Sequence, residues 1–134
     1  MKTVKLLIFL SLIAFWGCDK DTFFDKFVPE IMFYENNDVE NADFSEITLG
    51  AGITADTIKA RISAPMKLKE IKLFKVSGKN EELLQTYNDF RLTPNVYKLK
   101  YLLKDITSET VVKVVAWDND NKLSSKIFTI KITQ

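Results

Sequence analysis

The run Thr110-Val111-Val112-Lys113-Val114-Val115-Ala116-Trp117-Asp118-Asn119-Asp120-Asn121-Lys122-Leu123-Ser124-Ser125-Lys126-Ile127-Phe128-Thr129-Ile130-Lys131-Ile132 decides the fold. Val112, Val114 and Ala116 share one side of its first half, and a period of two is the mark of a strand with one side buried. Asp118-Asn119-Asp120-Asn121 is a turn cluster, because short polar side chains capture nearby backbone amides. Phe128, Ile130 and Ile132 then alternate with Thr129 and Lys131. Two alternating strands across a polar turn make a hairpin.

The same pattern continues upstream. In 57–64, Ile58, Ala60 and Ile62 face one way and Lys59, Arg61 and Ser63 the other. In 68–76, Ile71 and Leu73 point inward and Lys72 outward; Ser77-Gly78-Lys79-Asn80 follows as a turn. Tyr97, Leu99, Tyr101 and Leu103 share one side of 96–103, with Lys98 and Lys100 on the other. Shorter strands are expected at 30–34, after Pro29, and at 47–49, before Gly50-Ala51-Gly52. The stretch 83–90 reads as a strand whose Glu81-Glu82-Leu83-Leu84 start also suits a helical turn. Residues 35–43, with Glu35, Asp38, Glu40 and Asp43 and no basic residue, read as a loop. The sum is an all-β chain of seven or eight strands, with no long helix, internal repeat or Gly-rich phosphate loop.

The hairpin resembles the last two strands of bacterial immunoglobulin-like domains. There the penultimate strand carries alternating Val, Val, Ala and Asp, matched here by Val112, Val114, Ala116 and Asp118; the last strand is matched by Phe128, Ile130 and Ile132. The resemblance implies a Greek-key immunoglobulin-like sandwich over 29–134. Two features of the antibody-like subtype are missing, the inter-sheet cysteine pair and a tyrosine near Thr110. Another small Greek-key sandwich or barrel is the competing architecture.

The N-terminus has a different grammar. Lys2 and Lys5 precede an apolar stretch running to Trp16 and broken only by Ser11, and Gly17 precedes Cys18, the sole cysteine. The stretch is shorter than the about 20 residues of a spanning helix and has signal-peptide layout. The Gly17-Cys18 junction resembles a bacterial lipobox, although Phe15 and Trp16 stand where that pattern has Leu and a small residue. The resemblance implies a signal peptide over 1–17, lipid on Cys18 and a tether over 18–28. Each buried acyl methylene would contribute about 0.8 kcal/mol to anchoring. An ordinary secretory signal or an uncleaved anchor is the competing reading. Asp19, Lys20, Asp21, Asp25 and Lys26 resemble the surface-export signals of lipoproteins from glycan-foraging Gram-negative bacteria, which implies outer-membrane attachment and cell-surface display. A simple solvated tether has the same composition.

Composition narrows the chemistry. Lys+Arg total 19, Asp+Glu 18, and there is no His. The balanced charge argues against nucleic acid, whose phosphates demand a basic surface. Without His, Ser-His-Asp and Cys-His mechanisms are excluded, and lipidation would consume the only thiol. Paired carboxylates are the remaining catalytic option, but the acids fall in loops and turns, so no enzyme and no cofactor are expected. Asp118, Asn119 and Asp120 offer oxygens to calcium, which takes about 6–8 of them; the plainer reading is a hairpin turn. Trp117 and Phe74 point away from Ala116 and Leu73, towards solvent, and are candidates for contacting a glycan or a partner protein; the plainer reading is cover for the sandwich rim. The expected function is a membrane-anchored, non-catalytic binding or assembly module for a protein or glycan. The alternatives are a carbohydrate-binding accessory of a polysaccharide-capture system and a purely structural envelope protein.

Overall fold

A computed structural model describes residues 26–35 and 44–133. They form eight strands: β1 (Glu30–Phe33), β2 (Glu46–Leu49), β3 (Asp56–Ser63), β4 (Leu68–Ser77), β5 (Asn80–Tyr87), β6 (Val96–Leu103), β7 (Thr110–Asp118) and β8 (Leu123–Ile132). One sheet has the order β1-β3-β6, the other β2-β8-β7-β4-β5. All pairings are antiparallel except β2 with β8. The first edge of the chain is thus split: β1 pairs in one sheet and β2 in the other. This is an immunoglobulin-like Greek-key sandwich, an architecture that fibronectin type III domains share. The stretch that also suited a helical turn is strand throughout 80–87.

The inward sides pack as the alternation demands. Ile58, Ala60 and Ile62 of β3, Ile71 and Leu73 of β4, Leu99 of β6, and Val112, Val114 and Ala116 of β7 are at most 1% exposed. Phe33 and Phe128 meet across the sheets at 5.0 Å between ring centroids. Aliphatic side chains fill the interior where antibody-type domains place a disulfide. Among the described residues, every strand and the buried cluster lie between Pro29 and Ile132.

Two bulges correct the phase of β4 and β5. Leu68 and Ile71 are both buried yet three residues apart, which a regular strand forbids. The register resolves it: Leu68 opposes Asp118 and Glu70 opposes Trp117, leaving Lys69 as the extra residue. Likewise Leu73 opposes Gln85 and Phe74 opposes Leu83, leaving Leu84 unpaired and packed against the core. The β4–β5 turn puts Gly78 at φ 61°, the sign that primed hairpin turns require at their first central position. At the other end of the fold, Ser124 of β8 donates to the Pro29 carbonyl and ties the start of β1 to the opposite sheet.

Candidate functional site

The registers of β5, β4, β7 and β8 assemble the outer side of the five-stranded sheet row by row. One row runs Leu83, Phe74, Lys113, Ile127; the next Thr86, Lys72, Val115, Ser125; the third Glu70, Trp117, Leu123. A fourth, Glu81, Val76, Val111, Thr129, Glu46, borders the first. Apolar side chains therefore occupy much of a solvent-facing surface. Leu83, Leu123 and Ile127 are 52%, 54% and 56% exposed, whereas Val115 at the centre is 7% exposed. With strands about 4.8 Å apart and about 3.4 Å per residue, the face measures on the order of 20 by 30 Å.

Its cations are all matched. Lys72 Nζ lies 2.9 Å from Glu70 Oε2 and 5.2 Å from the centroid of the Trp117 ring. Lys113 reaches Glu81 at 2.8 Å, and Lys131 reaches Glu46 at 2.8 Å. The hydrogen bond to Glu46, then its charge, raises the Lys131 ammonium above its ordinary value. The face is apolar with locally neutralised charge, a composition suited to an uncharged, water-excluding contact rather than to an ion.

Trp117 and Phe74 both emerge on this face, as their parity predicts, but not side by side. The row of Lys72 and Val115 separates them, so they stand about 13 Å apart along the strands. One side of the Trp117 ring already carries the Lys72 ammonium. Sequence reading missed Leu83, Leu123 and Ile127. The signal was β7 itself: Val111, Val115 and Trp117 make its outward side almost as apolar as its inward side, and near-continuous apolar runs mark strands covered on both sides.

The Asp118 turn is built inward. Asp118 is 0% exposed. Its Oδ1 accepts from the backbone amides of Asp120 and Lys122, both at 2.9 Å, and its Oδ2 is buried without a partner. Asn119 and Asp120 are exposed at the tip. The carboxylate thus staples the β7–β8 turn. Among the described residues, no three His, Cys, Asp or Glu side chains gather as a metal group would need. The expected signal peptide over 1–17, Cys18, Asp19, Lys20, Asp21, Asp25, Asp38, Glu40 and Asp43 lie outside the described residues.

Two roomy grooves flank the body, beside smaller ones of about 400 and 30 Å³. One of about 570 Å³ lies where the tether meets β1, lined by Phe27, Val28, Pro29, Ala64 and Pro65 among others. The other, of about 530 Å³, is formed by Asp89, Arg91, Leu92, Thr93 and Tyr97. Arg91 grips both Asp89 oxygens, at 2.9 and 2.7 Å, which holds that carboxyl below the usual carboxylate range. Behind it, burial, then the neighbouring Tyr97 and Tyr101, push the Tyr87 hydroxyl up to about 12. Each of these two carries a single carboxylate, Glu30 in the first and Asp89 in the second, whereas Glu35 and Asp56 both line the small groove of about 30 Å³.

No family model matches the chain, and no curated protein matches it in sequence. Among solved structures, it is similar to a superoxide reductase (neelaredoxin) from Ignicoccus hospitalis. That pair is 10% identical, covers 84% of this chain and 87% of the other, and has a TM-score of 0.53. A fibronectin(III)-like module structure of Clostridium thermocellum CbhA is 14% identical, covers 78% of this chain and 99% of that one, and has a TM-score of 0.41. At these identities the similarity concerns the sandwich fold and not the chemistry performed on it.

Proposed function

We propose that this chain is a lipoprotein of the outer membrane, displayed at the cell surface through Cys18, whose sandwich is a non-catalytic assembly module for a partner protein. The observation that carries the reading is the exposed apolar face around Leu83, Phe74, Ile127, Trp117 and Leu123. Exposed apolar patches on soluble folds mark contact surfaces. This one is about as large as one side of a small protein interface, and its ion pairs leave no net charge to attract an ionic ligand. The occupant that fits is a protein surface of similar apolar character.

Carbohydrate binding is the second reading, favoured by Trp117 and Phe74 sharing the face. It is the weaker one, because sugar stacking uses open ring faces and Lys72 sits on that of Trp117. The test uses the native lipidated protein, tagged and cross-linked in intact cells through a photoreactive side chain at Ser125. A discrete cross-linked species that Ile127→Asp and Leu123→Asp abolish, while Lys98→Glu preserves it, supports the reading. Cross-linking indifferent to Ile127 and Leu123 overturns it. Retention on polysaccharide lost in Trp117→Ala installs the second reading. Mass spectrometry of the mature N-terminus tests the anchor, and an unmodified Cys18 thiol would remove it.

A further inference from the structure

The outer side of the three-stranded sheet carries an arrangement of charge that folding does not favour. Ile58, Ala60 and Ile62 turn inward, so Lys59 and Arg61 turn outward. The register then sets Lys59 directly opposite Lys100, and Arg61 opposite Lys98. Like charges directly opposite destabilise a strand pair. Strand spacing and residue rise place the four side chains at the corners of a rectangle of about 5 by 7 Å.

None of the four has a carboxylate partner among the described residues. Lys59 Nζ donates to the Glu35 carbonyl at 2.7 Å, and Arg61 reaches only the Met32 sulfur at 4.0 Å. Lys98 and Lys100 are exposed. The acid of β1 on this side, Glu30, stands in the next row beyond Arg61 and Lys98, where it accepts from Ser63 rather than pairing with a cation. The other sheet matches Lys72, Lys113 and Lys131 with a carboxylate each, so the contrast lies within one chain.

We propose that this face docks on an anionic lipid surface, its cations meeting the phosphate-bearing headgroups of the membrane. Charge complementarity is the first support. The second is what borders the cations. Leu102, 53% exposed, and the half-buried Met32 flank them on the same side, and such residues suit the boundary between headgroups and acyl chains better than they suit a dissolved polyanion. The third is connectivity: β1, which receives the tether, is an edge strand of this same sheet, and the segment from Cys18 to Pro29 reaches at most about 40 Å. This orientation rests on the anchored reading above; the charge argument does not.

The test uses the chain from Asp19 onward without lipid, so that acyl chains contribute nothing. The probes are vesicles of phosphatidylcholine with phosphatidylglycerol, against phosphatidylcholine alone, in co-sedimentation at low salt. Binding is expected only to the anionic vesicles and is lost as salt shortens the screening length. Each cation removed is expected to weaken it about fivefold, so the double variant Lys98→Glu, Lys100→Glu weakens it at least about 25-fold. Arg61→Gln loses about fivefold while Arg61→Lys retains binding; Lys79→Glu, in the β4–β5 turn, changes it less than about twofold. Circular dichroism confirms that each variant is folded. Equal binding to neutral vesicles, an equal loss in Lys79→Glu, or an acidic polysaccharide that binds where vesicles do not would overturn the proposal. An unmodified Cys18 in native material would sink the anchor and leave the vesicle result standing. A lipidated Cys18 without vesicle binding would sink only this proposal.

Discussion

The two outer faces of the sandwich share one core and obey opposite rules. On the five-stranded sheet, Lys72, Lys113 and Lys131 are each tied to a glutamate, and the space between is apolar. On the three-stranded sheet, Lys59 opposes Lys100 and Arg61 opposes Lys98, with Met32 and Leu102 at their margin. Inward positions of both sheets answer to packing alone. Outward positions are free of that constraint, so their departures from a mixed, self-neutralising surface are where the two proposed contacts are placed. The difference teaches that parity along a strand fixes the inward side by packing and leaves the outward side free to differ from sheet to sheet.

The comparison is sharpened by substitutions of graded severity. The largest effect belongs to the shared layer: Leu73→Ala, at a position 0% exposed, is expected to lower unfolding free energy by about 2–5 kcal/mol. Denaturant titration reads it, and both faces should lose their binding together as the fold is depleted. Next is the turn that sets the Trp117–Leu123 row. Asp118→Ala leaves two turn amides without their acceptor and is expected to cost about 1.5–3 kcal/mol, whereas Asp118→Asn keeps an Oδ1 acceptor and should cost less. Equal losses for the two would mean that Oδ1 is not what holds the turn.

Alkali probes the open edge between the sheets, where Tyr87 lies near Tyr97. Its folded value of about 12 exceeds the ordinary 10.0. A raised value means that the protonated form is favoured by folding. The stabilisation is therefore complete below pH 10 and is lost as pH climbs through 12. Tyr87→Phe should flatten that decline in a pH series of thermal midpoints; an unchanged decline would assign it to other groups.

The smaller effects separate the faces most cleanly. Lys100→Glu converts a like pair with Lys59 into an opposite one and should stabilise by about 0.2–1 kcal/mol, the reverse of its effect on vesicle binding. Destabilisation would mean that the cations serve the fold after all. Ile127→Thr, on the exposed apolar face, should stay within about 0.5 kcal/mol of the parent while weakening partner capture.

Much of the interior was legible because burial parity is local. Ala116 inward puts Trp117 outward, and Leu73 inward puts Phe74 outward, without any knowledge of neighbours. The apolar face was not legible, because it exists only once β5, β4, β7 and β8 lie in that order, and sheet order depends on contacts far apart in the chain. Leu123 and Ile127 look like ordinary surface residues until Trp117 and Lys113 are set beside them. The cationic square is hidden for the same reason: Lys59 and Lys100 are 41 positions apart. The bulge at Lys69 left a local trace, the three-residue step from Leu68 to Ile71, which period-two reading passes over.

The bond from Ser124 to the Pro29 carbonyl gives the body a mechanical character. Tension applied through residues 26–28 arrives at the first residue of a four-residue edge strand, whose ladder hydrogen bonds run to β3 alone. Such a strand peels one rung at a time under modest load. The Ser124 hydroxyl stands ahead of the first rung and passes part of the pull to β8 in the other layer, so the initial yield should shift to lower force in Ser124→Ala while the unloaded fold barely changes.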